Sequence, residues 1–459
     1  MGKSAIILAA GFGTRMKSSL HKVLHPVCDK PMILHIFDEL EKLDFDEILV
    51  VVGQQREAVE AVIGKRAKTV YQIEQLGTGD AVKAALPSLS ASSGVTLVLY
   101  GDAPLIRAQT MEQLVKLQEE SNASVVVLCA DVPNPYGLGR VFRTESGEVL
   151  RIVEEKDATP EERLQTLINT GIYAYKSEDL RASVAQIRPD NTQNEYYLTD
   201  TLALLGQTGK RVLSLQVEDY EEVASVNDRV QLAEVERICR QRVLTHWMQE
   251  GVTIQDPQST YIGTEVVLGR DVVLLPGTIL SGHTSIAENA IIGPSTRIVD
   301  SAIMAGAVVE NAVVLESQVG SQAHVGPFAY LRPGTRVGAR AKVGDFVELK
   351  NTSLGDDSKV SHLAYLGDAE IGARVNIGCG VITVNYDGKQ KFKTTVGDDS
   401  FIGSNANLIA PITVGEGAYV CAGSTITDDV PEDGFVIARA RQVTKANYVS
   451  RWKSNRAMD

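Results

Sequence analysis

The sequence is poor in aromatic residues, in paired cysteines and in long apolar runs, and each shortage excludes a class of protein. Phe, Trp and Tyr make up 5% of the 459 residues, too few for a wide aromatic core. The five cysteines are dispersed, with no CxxC pair or metal-ligand spacing, as is typical of reduced thiols in a cytosol. No run approaches the ~18 apolar residues of a membrane helix, and the apolar start at Ala5–Ala10 is too short for a signal sequence. We therefore expect a soluble, cytoplasmic protein without membrane insertion.

Basic residues are also in the minority. The chain carries 45 Lys and Arg against 58 Asp and Glu, a formal net charge of −13. This balance argues against a general nucleic-acid or membrane-surface binder. The chain is longer than one hydrophobic core normally serves, so two or three domains are expected.

A six-residue repeat of aliphatic residues fills the second half of the chain. Its three phases are Ile262, Leu268, Leu274, Leu280, Ile286, Ile292 and Ile298; Val319, Val325, Leu331, Val337, Val343 and Leu349; and Val396, Ile402, Leu408, Val414, Val420 and Ile426. Neither a helix nor a simple strand has this period, whereas a hexapeptide repeat indicates a parallel β-helix. We expect one short strand and a corner per hexad, with the aliphatic side chain inside and the frequently following glycine allowing tight turns and positive φ. A β-sandwich with coincidental spacing is the alternative.

The first half alternates short apolar strands with amphipathic helices. Strands are predicted at Ala5–Leu8, Glu47–Val52, Thr69–Gln72 and Val95–Tyr100, and helices at Pro31–Leu43, Arg56–Ile63 and Gly79–Ala85. This order predicts an α/β doubly wound, Rossmann-like sheet with its site at the carboxyl ends of the strands. Asp102 falls at such an end and is a candidate metal ligand, with a turn or helix-capping role as the alternative.

A glycine-rich loop, Ala9–Met16, follows the first strand. Loops of this type offer backbone N–H groups to phosphates. The third glycine of the dinucleotide pattern and the GK[ST] of a P-loop are both missing, so neither fingerprint applies. Arg15 and Lys17 on the loop, and Lys22 just beyond it, add the positive charge that a phosphate site needs.

Several strings along the chain resemble the sugar-nucleotide pyrophosphorylases. They are LAAGFGTRMKS (Leu8–Ser18), QLGTGDA (Gln75–Ala81), LYGDAPL (Leu99–Leu105), GLGR (Gly137–Arg140), IVEEKDA (Ile152–Ala158), NTGIY (Asn169–Tyr173), EYYLTD (Glu195–Asp200) and VNDR (Val226–Arg229). With the hexads, nearly the whole chain resembles the bifunctional N-acetylglucosamine-1-phosphate uridyltransferase/glucosamine-1-phosphate N-acetyltransferase family. The resemblance implies acetylation of glucosamine 1-phosphate by acetyl-CoA. Uridylyl transfer from UTP to the acetylated sugar phosphate would follow, with release of pyrophosphate and formation of a cell-wall precursor.

The resemblance implies a uridylyl-transfer site in the first half. The residues for uracil and ribose would be Leu8, Ala9, Ala10, Gly11, Gln72, Gly77 and Thr78; those for the phosphates Arg15 and Lys22; those for Mg²⁺ Asp102 and Asn227; and those for the sugar Gly139, Glu154 and Asn169. His21 stands where the family usually has proline before the lysine. This departure could alter the stiffness of the loop that carries Lys22, but it leaves the charge in place.

The second half is identified by the same resemblance as a left-handed β-helix acetyltransferase. His362 would be the general base for the sugar amine, since imidazole titrates near neutral pH. The remaining assignments are Arg332 and Lys350 for the sugar phosphate, Tyr365 and Asn376 for the sugar, and Cys379, Asn385, Tyr386, Ser404, Ala422 and Arg439 for acetyl-CoA. The family forms homotrimers through the β-helix, with this site between subunits. Cys379 falls among small residues of the family, which favours a packing role over a nucleophile.

The hexads are interrupted at Cys379–Thr395, where a loop carries Lys389, Lys391 and Lys393. Insertions on a regular solenoid often carry function, so this loop is a further candidate.

We predict a pyrophosphorylase domain at 1–229, a linker helix at 230–250 and the acetyltransferase domain at 251–459. Two other functions remain open. One is a single-activity sugar-1-phosphate nucleotidyltransferase with a structural β-helix, which His362 and Arg439 argue against. The other is a non-catalytic scaffold, which the pair Asp102 and Asn227 argues against.

Overall fold

Two units of different construction follow one another along the chain. The computed structural model describes residues 2–191 and 193–456, and the units are Met1–Arg242 and Val243–Asp459. The first is an α/β sheet and the second a parallel β-helix, which confirms the predicted fold class. The predicted domain limits, 1–229, 230–250 and 251–459, stay a prediction. No helix among the described residues is long and apolar enough to cross a membrane.

The first unit is a mostly parallel sheet covered by helices. Its strands are β1 (Gly2–Ala9), β2 (Pro26–Val27), β3 (Lys30–Pro31), β4 (Glu47–Val52), β5 (Lys68–Tyr71), β6 (Ser93–Tyr100), β7 (Val125–Asp131), β8 (Arg140–Arg143), β9 (Val149–Val153), β10 (Leu167–Lys176) and β11 (Val212–Gln216). Its helices are α1 (Met32–Leu40), α2 (Arg56–Ile63), α3 (Thr78–Ala85), α4 (Ala108–Ser121), α5 (Ser177–Val184) and α6 (Asp200–Gln207). Short 3₁₀ turns lie at Thr14–Met16, Lys22–Leu24, Glu162–Leu164 and Tyr220–Val223.

The main sheet has the order β11-β7-β10-β6-β1-β4-β5. Strand β10 is antiparallel to β6 and β7, whereas the other neighbours along this path are parallel. Side chains of β1 alternate between two cores: Ile7 packs with Phe37 of α1 on one face, and Ile6 packs with Val82 of α3 on the other. Because both faces are buried there, the stretch Ala5–Ala9 of this strand is apolar without interruption.

A long helix, α7 (Arg229–Gln249), follows the last strand of this sheet. Val235 and Ile238 are buried with Met16 in a small core of the first unit. Toward its end, Leu244 belongs to the core of the second unit, and Trp247 packs against that core. The apolar side chains of this helix therefore belong to two cores in turn.

The β-helix has three parallel sheets of eleven, ten and nine strands. Face 1 holds Thr253–Ile254, Val273–Leu274, Ile291–Ile292, Val308–Val309, His324–Val325, Lys342–Asp345, Lys359–His362, Asn376–Ile377, Phe401–Ile402, Tyr419–Val420 and Phe435–Val436. Face 2 holds Tyr261–Ile262, Ile279–Ser281, Arg297–Val299, Val313–Leu315, Tyr330–Leu331, Glu348–Lys350, Tyr365–Gly367, Ile382–Val384, Asn407–Ile409 and Thr425–Ile426. Face 3 holds Val267–Leu268, Ser285–Ile286, Ala302–Ile303, Gln318–Val319, Arg336–Val337, Ser353–Leu354, Ala369–Ile371, Thr394–Val396 and Ile412–Val414. Helix α8 (Tyr448–Arg456) follows.

The aliphatic residues of all three predicted phases are buried in one continuous core that runs through the coils. Parallel pairing brings each strand onto its equivalent in the next coil, as Leu331 of one coil pairs with Leu349 of the next. The inward stack predicted from the hexads is therefore confirmed, and stability comes from contacts between successive coils.

Most glycines of the repeat are required by close contact with the next coil and not by positive φ. A Cβ on Gly355 would lie 2.4 Å from the backbone of Gly372 in the next coil, and one on Gly403 would lie 2.4 Å from the amide nitrogen of Ala422. These glycines allow close approach of coils, not positive φ. The left-handed angles fall two residues after such glycines, on Arg340, Asp357, Arg374 and Asp399. The prediction of positive φ at the glycines themselves is wrong for most of them.

Replacing Gly355 with alanine should lower the melting temperature of the β-helix, because the methyl group would overlap the next coil. Overpacking of this kind costs about 1–3 kcal/mol. Ser353→Ala is the matched control, since Ser353 is exposed on the strand that precedes Gly355. Thermal unfolding followed by circular dichroism would measure both variants. Equal melting temperatures would show that coil spacing tolerates a side chain at this position.

Candidate active sites

A cleft of about 300 Å³ opens at the carboxyl ends of β1 and β6 in the first unit. The predicted residues that line it are Leu8, Ala9, Ala10, Gly11, Lys22, Gln72, Gly77, Thr78, Asp102 and Asn227. Val23, Gln75, Ala81, Tyr100 and Glu195 also line it and were not predicted. Most of these lie inside or next to the quoted strings, so the signal was present in the sequence.

The turn before α3 is held in place by hydrogen bonds and by close packing of its backbone against Tyr196. Gly77 has φ of 114°, and a Cβ there would lie 2.6 Å from the carbonyl oxygen of Tyr196. Gln72 donates from Nε2 to Asp80 at 2.7 Å, and the hydroxyl of Thr78 accepts from the amide of Leu198 at 3.1 Å. The side chains of Gln72 and Thr78 are therefore held by hydrogen bonds. Only glycine fits at position 77, where φ is positive and the backbone of Tyr196 lies close.

Contacts join four side chains at the cleft: Arg15, Lys22, Asp102 and Asn227. The Lys22 ammonium forms an ion pair with Asp102 and donates to Oδ1 of Asn227 at 3.3 Å. Arg15 donates from Nη2 to the same oxygen at 3.0 Å. These contacts join residues far apart in the sequence, and all of them were predicted to act together.

The oxygens of Asp102 and Asn227 both face a cation, because the Lys22 ammonium lies against the two of them. Mg²⁺ prefers oxygen ligands and often takes only one or two from the protein, with the rest from water and phosphates. The pair therefore fits Mg²⁺. Within residues 2–191 and 193–456, no group of three or more His, Cys, Asp or Glu side chains could hold a metal ion.

The three predicted sugar residues lie together. The backbone N–H of Asn169 donates to the carbonyl oxygen of Gly139 at 2.8 Å. A Cβ on Gly139 would lie 3.3 Å from both carboxylate oxygens of Glu154. Burial raises the pKa of Glu154, and the nearby carboxylates of Asp157 and Asp200 add to the rise. A half-buried carboxylate beside a glycine leaves room and an acceptor for a hydroxyl group.

His21, where the family usually has proline, is buried. Burial lowers the pKa of His21, and the positive charge of Lys22 lowers it further. A neutral imidazole at this place avoids repulsion of the adjacent lysine. Its effect on loop stiffness stays a prediction.

In the second unit, His362 ends a strand of face 1 and is exposed. Its Nδ1 lies 2.5 Å from Oδ1 of Asp345, one coil and 17 residues earlier. Hydrogen bonding from His362 lowers the pKa of Asp345. An ionised carboxylate only accepts hydrogen bonds, so Nδ1 carries the hydrogen and a neutral ring leaves Nε2 as an acceptor. Asp345 was not predicted, although the coil length would have placed it there.

The predicted phosphate residues lie on the side of face 2. Arg332 donates from Nη1 to Glu348 at 2.9 Å. The pKa of Lys350 is lowered chiefly by the neighbouring side chain of Lys391, then by burial and by the positive charges of Lys391 and Arg332. Lys391 comes from the lysine loop, so one member of that loop joins the predicted site. Clustered cations of this kind suit an anionic ligand.

The predicted acetyl-CoA residues lie along successive coils. Cys379, Ser404 and Ala422 each come two residues after an inward aliphatic residue of face 1. Asn385 is buried and donates from Nδ2 to Asp368 at 2.5 Å, whereas Tyr386 is exposed. Ser404 and Ala422 are exposed and Cys379 is half-buried, and Arg439 lies beside Gly423 in the last coil. The structure places Tyr365 on face 2 and Asn376 on face 1.

An α/β sheet with a glycine-rich loop after its first strand, followed by a three-sided β-helix (the prism), defines a two-domain transferase. Residues 5–170 match the MobA-like NTP transferase domain, and residues 393–428 match the bacterial transferase hexapeptide (six repeats). The second match confirms the left-handed β-helix.

The chain is 50% identical over 447 residues to the bifunctional protein GlmU of Brevibacillus brevis, with 97% of each chain covered. It is 51% identical over 444 residues to the protein of the same name from Bacillus licheniformis, again with 97% of each covered. The chain belongs to the GlmU family of bifunctional proteins. This membership confirms the predicted family and the prediction of a bifunctional enzyme.

Replacing Glu154 with glutamine should raise the melting temperature at about pH 8 and leave it nearly unchanged at about pH 4. The raised folded-state pKa means that the ionised carboxylate destabilises the fold. This penalty is present above the folded pKa and disappears as the pH falls below the unfolded value. Differential scanning fluorimetry at both pH values would measure it.

Glu155→Gln is the control of opposite sign, because hydrogen bonding from Arg140 lowers the pKa of Glu155. Its ionised form stabilises the fold above the unfolded pKa, so the glutamine variant should melt earlier at about pH 8. A lower melting temperature for Glu154→Gln at that pH would contradict a destabilising carboxylate.

Proposed function

We propose that this protein makes UDP-N-acetylglucosamine in two reactions. The β-helix transfers an acetyl group from acetyl-CoA to the amine of glucosamine 1-phosphate. The α/β unit then transfers a uridylyl group from UTP to N-acetylglucosamine 1-phosphate and releases pyrophosphate. The observation that supports both activities most strongly is the pair Asp345 and His362 on a β-helix whose chain also carries the cleft at the carboxyl ends of β1 and β6. A prism used only for oligomerisation needs no such pair.

Uridylyl transfer rests on positioning and on positive charge. A phosphate oxygen of the sugar attacks the α-phosphorus of UTP, and the bond to pyrophosphate breaks. In this proposal the stretch Leu8–Gly11, Gln72, and the turn Gly77–Thr78 hold uracil and ribose, while Arg15 and Lys22 face the phosphates. Preorganised cations of this kind stabilise the charge that develops in the transition state.

Asp102 and Asn227 are the proposed ligands of Mg²⁺, since their oxygens already lie against one cation. When bound there, Mg²⁺ would withdraw negative charge from the phosphates. Gly139, Glu154 and Asn169 would bind the sugar. A half-buried carboxylate and a carboxamide on either side of Gly139 suit a ligand with several hydroxyl groups.

Acetyl transfer uses His362 as the general base. Nε2 takes a proton from the amine as its nitrogen attacks the thioester carbon, and the thiolate of coenzyme A leaves. Asp345 holds the Nδ1 hydrogen and stabilises the imidazolium that forms. In the same proposal Arg332 and Lys350 hold the sugar phosphate, and Tyr365 and Asn376 the sugar. The proposed acetyl-CoA residues are Cys379, Asn385, Tyr386, Ser404, Ala422 and Arg439.

We also propose that the protein is a cytoplasmic homotrimer joined through the β-helix. One corner of the prism supports an interface with a second copy. Phe328, Phe346 and Leu363 are 57%, 58% and 58% exposed there, and the two phenyl rings stack at 5.3 Å. Neighbouring apolar side chains rarely stay exposed to water. Burial against another copy of the chain would remove the free-energy cost of exposing them. The proposed ligands are small molecules; the acidic balance of the chain gives no support for nucleic acid as a partner.

Asp102→Ala should abolish uridylyl transfer and leave acetylation close to that of the parent protein. The variant loses a proposed metal ligand and the partner of Lys22, while the β-helix is untouched. Release of pyrophosphate and release of free coenzyme A thiol measure the two activities separately. If the variant only melts earlier and still forms UDP-N-acetylglucosamine at the normal rate, Asp102 is a turn residue.

His362→Ala should slow acetylation by ~10²–10⁴ and spare uridylyl transfer. In the parent protein, kcat/KM for acetylation should rise with pH, because a general base acts in its unprotonated form, and this profile should change in the variant. Asp345→Asn should give a smaller loss, because the amide still holds the ring but carries no charge. An unchanged pH profile in His362→Ala would remove His362 from the mechanism.

A further inference from the structure

The Asn169 side chain is fixed by two partners outside the predicted site. Its Nδ2 donates to the hydroxyl oxygen of Tyr173 at 2.8 Å, and its Oδ1 accepts from the amide of Gly171 at 3.1 Å. A carboxamide has two hydrogens to donate and two lone pairs to accept with. One donor and one acceptor position of Asn169 therefore remain for a ligand.

A local irregularity of β10 makes this arrangement possible. The pairing of β10 with β7 shifts register between Asn169 and Tyr173, and Gly171 between them has φ of 79°. A Cβ on Gly171 would lie 2.2 Å from the ring of Tyr100, which lines the cleft. The strand therefore bulges at the point where it presents Asn169, and bulges often direct side chains in this way.

Tyr173 itself is buried, with 1% of its surface exposed. Burial raises its pKa, so the phenol stays neutral and its oxygen can accept from Asn169. A neighbouring tyrosine on the same strand, Tyr175, is equally buried. The Tyr175 hydroxyl is bonded instead to Thr201 Oγ1 at 2.7 Å, and its ring lies 5.7 Å from that of Tyr173.

We propose that Tyr173 is a positioning residue for the sugar site: its hydroxyl sets the Asn169 carboxamide so that one N–H and one carbonyl lone pair face a sugar hydroxyl. A hydroxyl group both donates and accepts, so it can use the two free positions together. This inference rests on the proposed sugar-binding role of Asn169. Tyr173 touches no substrate and acts only through the amide.

Tyr173→Phe should raise KM for N-acetylglucosamine 1-phosphate in uridylyl transfer by about 3- to 10-fold, the size expected for one neutral hydrogen bond. KM for UTP should stay the same, because the hydrogen bond of this hydroxyl is to Asn169, a residue proposed to bind the sugar. Tyr175→Phe is the matched control: it also removes one buried hydroxyl from β10, so it should lower the melting temperature similarly without changing KM for the sugar. Steady-state kinetics with each substrate varied in turn would give these values.

A double-mutant cycle separates this inference from the function on which it rests. Asn169→Ala should raise KM for the sugar, and adding Tyr173→Phe to it should cause no further rise, since the positioned amide is already absent. An undiminished effect of Tyr173→Phe in that background would show a general structural role and overturn the inference. So would a normal sugar KM in Tyr173→Phe alone while Asn169→Ala is impaired. A normal sugar KM in Asn169→Ala would instead remove Asn169 from the sugar site, and the positioning role with it.

Discussion

Parallel strand pairing is the constraint on which both units depend, since it places equivalent positions of distant segments side by side. In the first unit it gathers the carboxyl ends of β1, β4 and β6 at one edge, where the cleft opens. In the second it stacks coils about 4.8 Å apart. That spacing leaves no room for a side chain at Gly355 or Gly403, and it sets Asp345 directly beside His362. The spacing between coils therefore determines where glycine is required in the β-helix and which side chains, such as Asp345 and His362, lie side by side.

Much of the fold could be predicted from the sequence because its signals are local and repeated. The hexads identify the inward residues of every coil that they cover, and the bounds of β4 and α2 agree with the expected Glu47–Val52 and Arg56–Ile63. The cleft residues of the glycine-rich loop and of Gly77–Thr78 were found because they sit inside recognisable strings. Their roles as ligands of a nucleotide remain predictions.

The remaining features depend on contacts between segments far apart, which no local pattern encodes. The antiparallel insertion of β10, the bulge at Gly171 and the partner Tyr173 arise only once three strands are paired. Lys391 meets Lys350 only because a loop folds back over an earlier coil. The role of the repeat glycines could not be predicted for the same reason. In a single strand they look like turn residues, whereas in the stacked coils they avoid a clash with the next coil.

The ion pair between Lys22 and Asp102 gives both charges a partner within the protein. Each charge is neutralised by the other, so neither is left buried without a partner. A divalent cation at Asp102 and a phosphate at Lys22 would then be an exchange of partners, not the filling of two unsatisfied positions. Each newcomer would release the group that the other needs, and by thermodynamic reciprocity the two affinities would rise together. The pair would thus disfavour metal or nucleotide alone and favour the two arriving as one complex.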